Sequence, residues 1–210
     1  MQKADVMNSE PTVFVVDNDA DMRNSLKWLI ESIGLPVEAF ASAEAFLQAN
    51  AVGRPGCLLL DVRMPGMGGL RLLEYLRAMG SEMPVIMLTG HGEVSMAVYA
   101  LKSGAFDFME KPASHQLILE RVRDALALDR EHRVRASELD AFEKRLSLLT
   151  SREREVMERL VEGDNTKTIA ALFDISERTV EKHRERLMSK MEVKSLAQLV
   201  RLVMGYRKGG

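Results

Sequence analysis

The segment Cys57-Leu58-Leu59-Leu60-Asp61 constrains the fold more than any other: four apolar residues without alternation, opened by Pro55-Gly56 and ended by a carboxylate. A strand with one wet face alternates apolar and polar side chains. An unbroken apolar run is buried on both faces, as in a parallel sheet covered by helices. Similar runs occur at Thr12–Val16, ahead of Asp17, and at Pro84–Thr89, while Val37–Phe40 and Phe106–Met109 read as shorter strands. Stretches of helical spacing separate them. Met22, Leu26, Leu29 and Ile33 mark a helix that stops at Gly34, with Pro36 beyond; Ala43–Gln48, Leu70–Met79 and Ser95–Ser103 are the others. Five strands alternating with helices predict a doubly wound α/β domain over residues 11–128, with a five-stranded parallel sheet.

From Ser114 to the region of Thr150 no strong helix breaker occurs. Residues 129–146 are expected to form a long linker helix. Leu128, His132, Arg135, Leu139, Phe142, Leu146 and Leu149 follow heptad spacing, with polar or charged residues at two of the positions. Two readings stand: the apolar end of the helix packs on its own second domain, or the helix pairs with a twin in a dimer. Thr150-Ser151-Arg152-Glu153 then has capping-box spacing and opens a region without strand patterns. Helices are predicted near 151–162, 168–173, 177–191 and 195–206. Residues 147–208 therefore read as an all-α four-helix domain of a size that folds alone.

Composition narrows the functional classes. Hydrophobic residues make up 46% and charged residues 29%, which excludes a disordered chain, and the single cysteine, Cys57, excludes an internal disulfide framework. No apolar run is long enough to cross a bilayer and Met1–Glu10 is polar, so no membrane partner and a cytoplasmic location are expected. Residues 1–128 carry 16 acidic against 11 basic side chains, whereas residues 147–210 carry 10 against 13. Such asymmetry predicts two domains with different partners.

In an open parallel sheet, ligands bind at the carboxyl ends of the strands. Those ends carry Asp17 and Asn18, Asp61, Thr89-Gly90 and Lys111. Hard oxygen donors there suit Mg²⁺, and a hydroxyl with an ammonium suits phosphoryl oxygens. Each residue taken alone reads better as strand-end capping on a solvated acidic edge. In the last domain, Ile169–Phe173, Asp174-Ile175-Ser176 and Glu177–Met191 read as helix, tight turn, helix, with Ser176 as N-cap. Val180, Leu187 and Met191 form the buried side, and Lys182, His183, Arg184, Arg186 and Lys190 crowd the rest. That pattern fits a helix for the DNA major groove or an ordinary solvated face.

The motifs resolve both sites. Val15-Val16-Asp17-Asn18-Asp19, Leu58-Leu59-Leu60-Asp61-Val62-Arg63-Met64-Pro65-Gly66-Met67-Gly68-Gly69, Leu88-Thr89-Gly90-His91-Gly92 and Glu110-Lys111-Pro112 resemble the receiver domain of two-component response regulators. The resemblance implies that Asp61 accepts a phosphoryl group from a sensor histidine kinase, and that Mg²⁺ is held by Asp17, Asn18, Asp61 and the backbone carbonyl of Arg63. It further implies that Thr89 and Lys111 contact the phosphoryl group, that Thr89 and Phe108 form the switch, and that Lys111–Pro112 is cis. Asn18 departs from the family, which usually has an acid there; a lost ligand charge predicts weaker Mg²⁺ binding. A second reading follows from it: a regulator whose atypical receiver works without phosphorylation.

Leu149-Thr150-Ser151-Arg152-Glu153-Arg154-Glu155-Val156, Gly163, Lys167-Thr168-Ile169-Ala170 and Ile175-Ser176-Glu177-Arg178-Thr179-Val180-Glu181-Lys182-His183 resemble the LuxR-type DNA-binding domain. Thr166 stands where that family usually has Asn. The whole chain resembles response regulators of the FixJ/NarL family, closest to the FixJ branch. By resemblance, Glu181, Lys182 and Glu185 read bases, and Lys167, Arg178, Thr179, His183 and Arg184 contact the DNA backbone. The partners implied are the kinase, promoter DNA, a second copy of the chain on phosphorylation, and RNA polymerase as a further candidate. No enzyme is expected, since the chain has no Walker A loop, metal-spaced His cluster or Ser/His/Asp arrangement.

Overall fold

The computed structural model describes residues 10–90 and 94–209. The His91-Gly92 end of the third receiver motif and the polar residues 1–9 lie outside them. Two compact units are present, Met1–Arg133 and Val134–Gly210.

In the first unit β1 (Thr12–Val16), β2 (Val37–Phe40), β3 (Gly56–Asp61), β4 (Val85–Thr89) and β5 (Asp107–Glu110) alternate with α1 (Ala20–Glu31), α2 (Ala43–Gln48), α3 (Gly69–Ala78) and α4 (Val94–Lys102). Helix α5 (His115–Ser147) follows. All strand pairs are parallel, in the order β2-β1-β3-β4-β5. The expected doubly wound sheet is present, with element ends displaced by one or two residues, as at α1, which begins at Ala20 rather than Met22.

Period two within each buried strand deals its side chains to opposite faces. Phe14, Val16, Leu58, Leu60, Val85 and Met87 face α2, α3 and α4, where Phe46, Leu72, Leu73, Leu76 and Ala100 meet them. Val13, Val15, Cys57, Leu59, Ile86 and Leu88 face α1 and the start of α5, against Leu26, Leu29, Ile30, Ile118, Val122 and Ala125. Fully burying each large side chain contributes about 1.5–3 kcal/mol. The chain leaves β1 toward β2 on one side and returns to β3 on the other, so a crevice opens between Val16 and Leu60 at the strands' carboxyl ends.

At the opposite end of β3, Asp129 of α5 accepts from the Gly56 N–H at 2.9 Å and from Arg133 Nε at 2.8 Å. Arg133 also donates to the carbonyls of Gly53 and Arg54, at 3.1 and 2.5 Å. Gly56 is required here: a Cβ would lie 1.8 Å from the Thr12 carbonyl oxygen.

The second unit comprises the end of α5, then α6 (Ser151–Val161), α7 (Thr166–Phe173), α8 (Glu177–Lys190) and α9 (Leu196–Gly209), and no strand occurs among its described residues. Its core joins Phe142, Leu149, Val156, Leu160, Ile169, Val180, Leu187, Met191, Leu199 and Val203. Phe142 and Leu149 thus bury within their own unit, as the first reading of the heptad positions expects. The capping box is formed: Thr150 Oγ1 accepts from the Glu153 N–H at 3.2 Å, and Glu153 Oε2 accepts from the Thr150 N–H at 2.9 Å. That carboxylate also accepts from Lys190 Nζ at 2.7 Å, tying the start of α6 to the end of α8. Burial raises the Glu153 pKa, but Lys190 and the two Thr150 contacts outweigh it and hold the carboxyl below its ordinary range.

Candidate functional site

The crevice between β1 and β3 gathers groups far apart in the chain. Asp17 directly follows β1 and is 2% exposed, Asp61 ends β3, and Thr89, 1% exposed, ends β4. Lys111 follows β5; its N–H donates to the Thr89 carbonyl at 2.7 Å, and the Lys111–Pro112 bond is cis. The Lys111 ammonium donates to Asp17 Oδ2 at 2.6 Å and to Asp61 Oδ1 at 2.5 Å. The other oxygen of each acid is held by the backbone: Asp17 Oδ1 accepts from the Asp19 N–H at 2.8 Å, and Asp61 Oδ2 from the Arg63 N–H at 2.9 Å.

Burial pushes the Asp61 carboxyl above its ordinary range, and the neighbouring Asp17 charge adds to this, against the lowering by Lys111 and the Arg63 N–H. Burial works against the Lys111 charge, but the two carboxylates outweigh it and hold the ammonium firmly protonated. Two carboxylates share one cation, which leaves the cluster one negative charge in excess. It is therefore built to receive more positive charge, or to bind a phosphoryl group only once such charge arrives.

The carboxylates at the crevice are Asp17 and Asp61, with Asn18 next to the first in sequence and the Arg63 N–H on the second. Among the described residues no group of three or more His, Cys, Asp or Glu side chains stands together as a metal ligand set. Two carboxylates completed by neutral oxygens and water nevertheless match what Mg²⁺ accepts. Asn18 is exposed beside Asp17. Asp19, next in sequence, is committed elsewhere: its Oδ1 caps α1, accepting from the N–H groups of Asp21 at 2.9 Å and Met22 at 3.3 Å. Phe108 lies half-buried against the α2–α4 face of the sheet, paired in register with Met87 of β4.

Two supports of this site carried no sequence signal. Arg23 of α1 donates to the Asp17 carbonyl at 2.7 Å. Glu44 of α2 accepts from the Met67 N–H at 2.9 Å, gripping the loop that leaves Asp61.

The second site is the helix-turn-helix. Asn165 caps α7. Asp174 adopts the left-handed conformation that ends it, at φ 53°, and Ser176 caps α8 by accepting from the Thr179 N–H at 3.2 Å. Val180, Leu187 and Met191 are buried as expected. The exposed charged residues of α8 form two ridges at intervals of four: Glu177, Glu181 and Glu185 on one, Arg178, Lys182 and Arg186 on the other. The three cations have no ion-pair or hydrogen-bond partner among the described residues. Arg186, counted among the cations crowding the helix but absent from the contacts implied by resemblance, lies on the ridge of Arg178 and Lys182 by its spacing.

The remaining expected contacts are less free. Thr179 Oγ1 lies 2.8 Å from Ser176 Oγ, completing the cap. His183 and Arg184 are half-buried. The Nδ1 of His183 is buried without a hydrogen-bond partner among the described residues, which leaves its Nε2 edge for any contact outward. Arg184 lies 3.6 Å from Glu181 Oε1, which also accepts from Thr166 Oγ1 at 2.6 Å. Lys167 is exposed in the first turn of α7.

Comparison with known proteins identifies both domains. Residues 13–123 match the response regulator receiver domain, and residues 147–203 match the bacterial regulatory proteins of the luxR family. The chain is 44% identical to the transcriptional regulatory protein TdiR of Thauera aromatica over 92% of its own length and 85% of that protein. It is 46% identical to the transcriptional regulatory protein FixJ of Azorhizobium caulinodans over 91% of each. Among solved structures, the response regulator StyR aligns with a TM-score of 0.88 at 41% identity, covering 94% of this chain and 100% of that one.

Proposed function

Because the chain belongs to the response regulators, as a transcriptional regulator with a receiver and a LuxR-type DNA-binding domain, we propose that it is switched by phosphorylation of Asp61 by a sensor histidine kinase. The observation that carries this reading is the Asp17–Lys111–Asp61 cluster at the sheet's switch point. An Asp61 carboxylate oxygen attacks the phosphorus of the kinase's phosphohistidine. The P–N bond breaks, its electron pair stays on the imidazole nitrogen, and an acyl phosphate forms. Receiver domains generally bind Mg²⁺ in this pocket; held by Asp17, Asp61, Asn18 and the Arg63 carbonyl, it would supply charge neutralisation for the phosphoryl oxygens. Lys111 follows the new negative charge, the Thr89 hydroxyl turns to a phosphoryl oxygen, and Phe108 moves with it.

The exposed apolar side chains of α4, among them Val98, Tyr99 and Leu101, then join with β5 to form a dimer face, and two α8 helices meet two DNA half-sites in the cytoplasm. Glu181, Lys182 and Glu185 face base edges. Lys167, Arg178, Thr179, His183, Arg184 and, on the basic ridge, Arg186 face phosphates. RNA polymerase is a further candidate partner at the promoter so bound.

The test is intact-mass analysis of the full chain after treatment with acetyl phosphate and Mg²⁺, paired with binding to duplex DNA. One added phosphoryl group, absent in Asp61→Asn, is expected, together with tighter DNA binding. Labelling that survives Asp61→Asn would overturn the assignment. DNA binding without labelling at any Mg²⁺ concentration would establish the other reading, in which the Asn18 pocket works without phosphate.

A further inference from the structure

We infer that Thr166, on the first helix of the helix-turn-helix, determines base preference by holding the carboxylate of Glu181 on the second. The inference rests on the proposal above that the exposed face of α8 enters the major groove. Thr166 Oγ1 and Glu181 Oε1 are 2.6 Å apart, the length of a charge-assisted hydrogen bond. A carboxylate can only accept, so the hydroxyl donates.

The bond has no part in capping. Asn165 already caps α7, its Oδ1 accepting from the N–H of Thr168 at 2.9 Å and from the Thr168 hydroxyl at 3.1 Å. The Thr166 hydroxyl is thereby left for Glu181. Arg184 Nη1, at 3.6 Å, adds positive charge beside the same oxygen.

The consequence lies in what remains of Glu181. Both contacts engage Oε1, and Oε2 has no hydrogen-bond partner among the described residues. An unrestrained Glu on a helix face samples several rotamers, and each must be surrendered when DNA arrives. Here one rotamer is selected beforehand, and the selected carboxylate keeps one oxygen to accept from an exocyclic amino group, the N4 group of cytosine or the N6 group of adenine. Glu181 is the centre of the acidic ridge, where an unrestrained carboxylate would repel the phosphates on either side. Held toward α7, its charge acts at one place and discriminates there. Thr166 is accordingly a positioning residue whose effect passes through Glu181.

The experiment is selection by the full chain, treated with acetyl phosphate and Mg²⁺, from a pool of duplexes randomised over two helical turns and read by sequencing. Wild type, Thr166→Val, Thr166→Ser, Glu181→Ala, the Thr166→Val/Glu181→Ala double variant and Lys182→Ala are compared. Glu181→Ala is expected to flatten the preference at one base position by about fivefold or more. Thr166→Val should flatten the same position by about threefold or more, and Thr166→Ser should restore it. The double variant should do no more than Glu181→Ala alone, since a residue acting through Glu181 has nothing to act on once Glu181 is gone. If Lys182→Ala alters preference while Thr166→Val matches wild type, the groove-facing reading stands and the role of Thr166 is overturned. If Thr166→Val changes a different position from Glu181→Ala, or if the two effects add, the coupling is overturned. If wild type enriches no sequence, both the inference and the reading beneath it fall.

Discussion

Gly69 begins α3, and the N-terminus of that helix sits against the strand that carries the phosphoacceptor. A Cβ at Gly69 would lie 2.1 Å from the carbonyl oxygen of Asp61 and 3.1 Å from the Cα of Val62. Carbon–oxygen contacts settle no closer than about 3.3 Å, so Gly69→Ala must drive α3 and the end of β3 apart by roughly 1 Å. Overpacking of this kind costs about 1–3 kcal/mol. Alanine's better helix propensity returns at most about 1 kcal/mol in a helix interior, and less at the first residue. The net expectation is a loss of about 2 kcal/mol. The catalytic effect should be larger, because a displacement of about 1 Å at the reacting carboxylate costs up to a hundredfold in rate. Gly68 supplies the control: a Cβ there meets only the Val62 carbonyl oxygen at 3.6 Å, an ordinary contact. Gly68→Ala should cost below about 1 kcal/mol, chiefly as a poorer N-cap, and leave the rate near wild type. Stability is read from hydrogen exchange of β1 and β3 peptides across a urea series, and rate from acetyl phosphate labelling of Asp61. If Gly69→Ala behaves like Gly68→Ala in both measurements, the close approach of α3 to β3 is not what organises the pocket.

Other outcomes follow from the same geometry. Asn18→Asp should lower the Mg²⁺ concentration for half-maximal labelling of Asp61 by adding a ligand charge; an unchanged requirement places residue 18 outside the coordination shell. Glu153→Gln should destabilise the second unit by about 0.5–1.5 kcal/mol at neutral pH, since it removes the charged hydrogen bond between buried Glu153 and the partly exposed Lys190. Lys190 and the Thr150 contacts hold the folded Glu153 carboxyl below the ordinary carboxylate range, so the wild-type advantage is fully present at neutral pH and is lost as pH falls through the folded pKa. Thermal unfolding at pH 7 and pH 3 reads this, and an advantage that persists undiminished at the lower pH would contradict it. Arg186→Ala should reduce the slope of log affinity against log salt on non-specific duplex by about one unit; an unaltered slope removes Arg186 from the phosphate-facing ridge.

Much of this molecule was legible in its sequence, because the information was local. The unbroken run before Asp61 could be buried only on both faces, and three such runs among five strand segments alternating with helices left a doubly wound sheet as the economical arrangement. The capping box at Thr150 and Glu153, the N-cap at Ser176 and the buried stripe of Val180, Leu187 and Met191 are matters of spacing, and spacing survives folding. Other features have no local signature. Asp17 and Asp19 are two residues apart and chemically alike, yet one turns into the crevice and the other caps α1, which depends on where the helix starts relative to the strand. Lys111 meets Asp17 across 94 positions because the strand order sets β1 beside β3 and β4 beside β5. The grip of Glu44 on Met67, the approach of Gly69 to Asp61 and the bond between Thr166 and Glu181 all arise between elements separated in the chain. Periodicity dictates which face of an element is buried. Which polar atoms then come within 3 Å of one another is decided by register and crossing geometry once the apolar faces have closed.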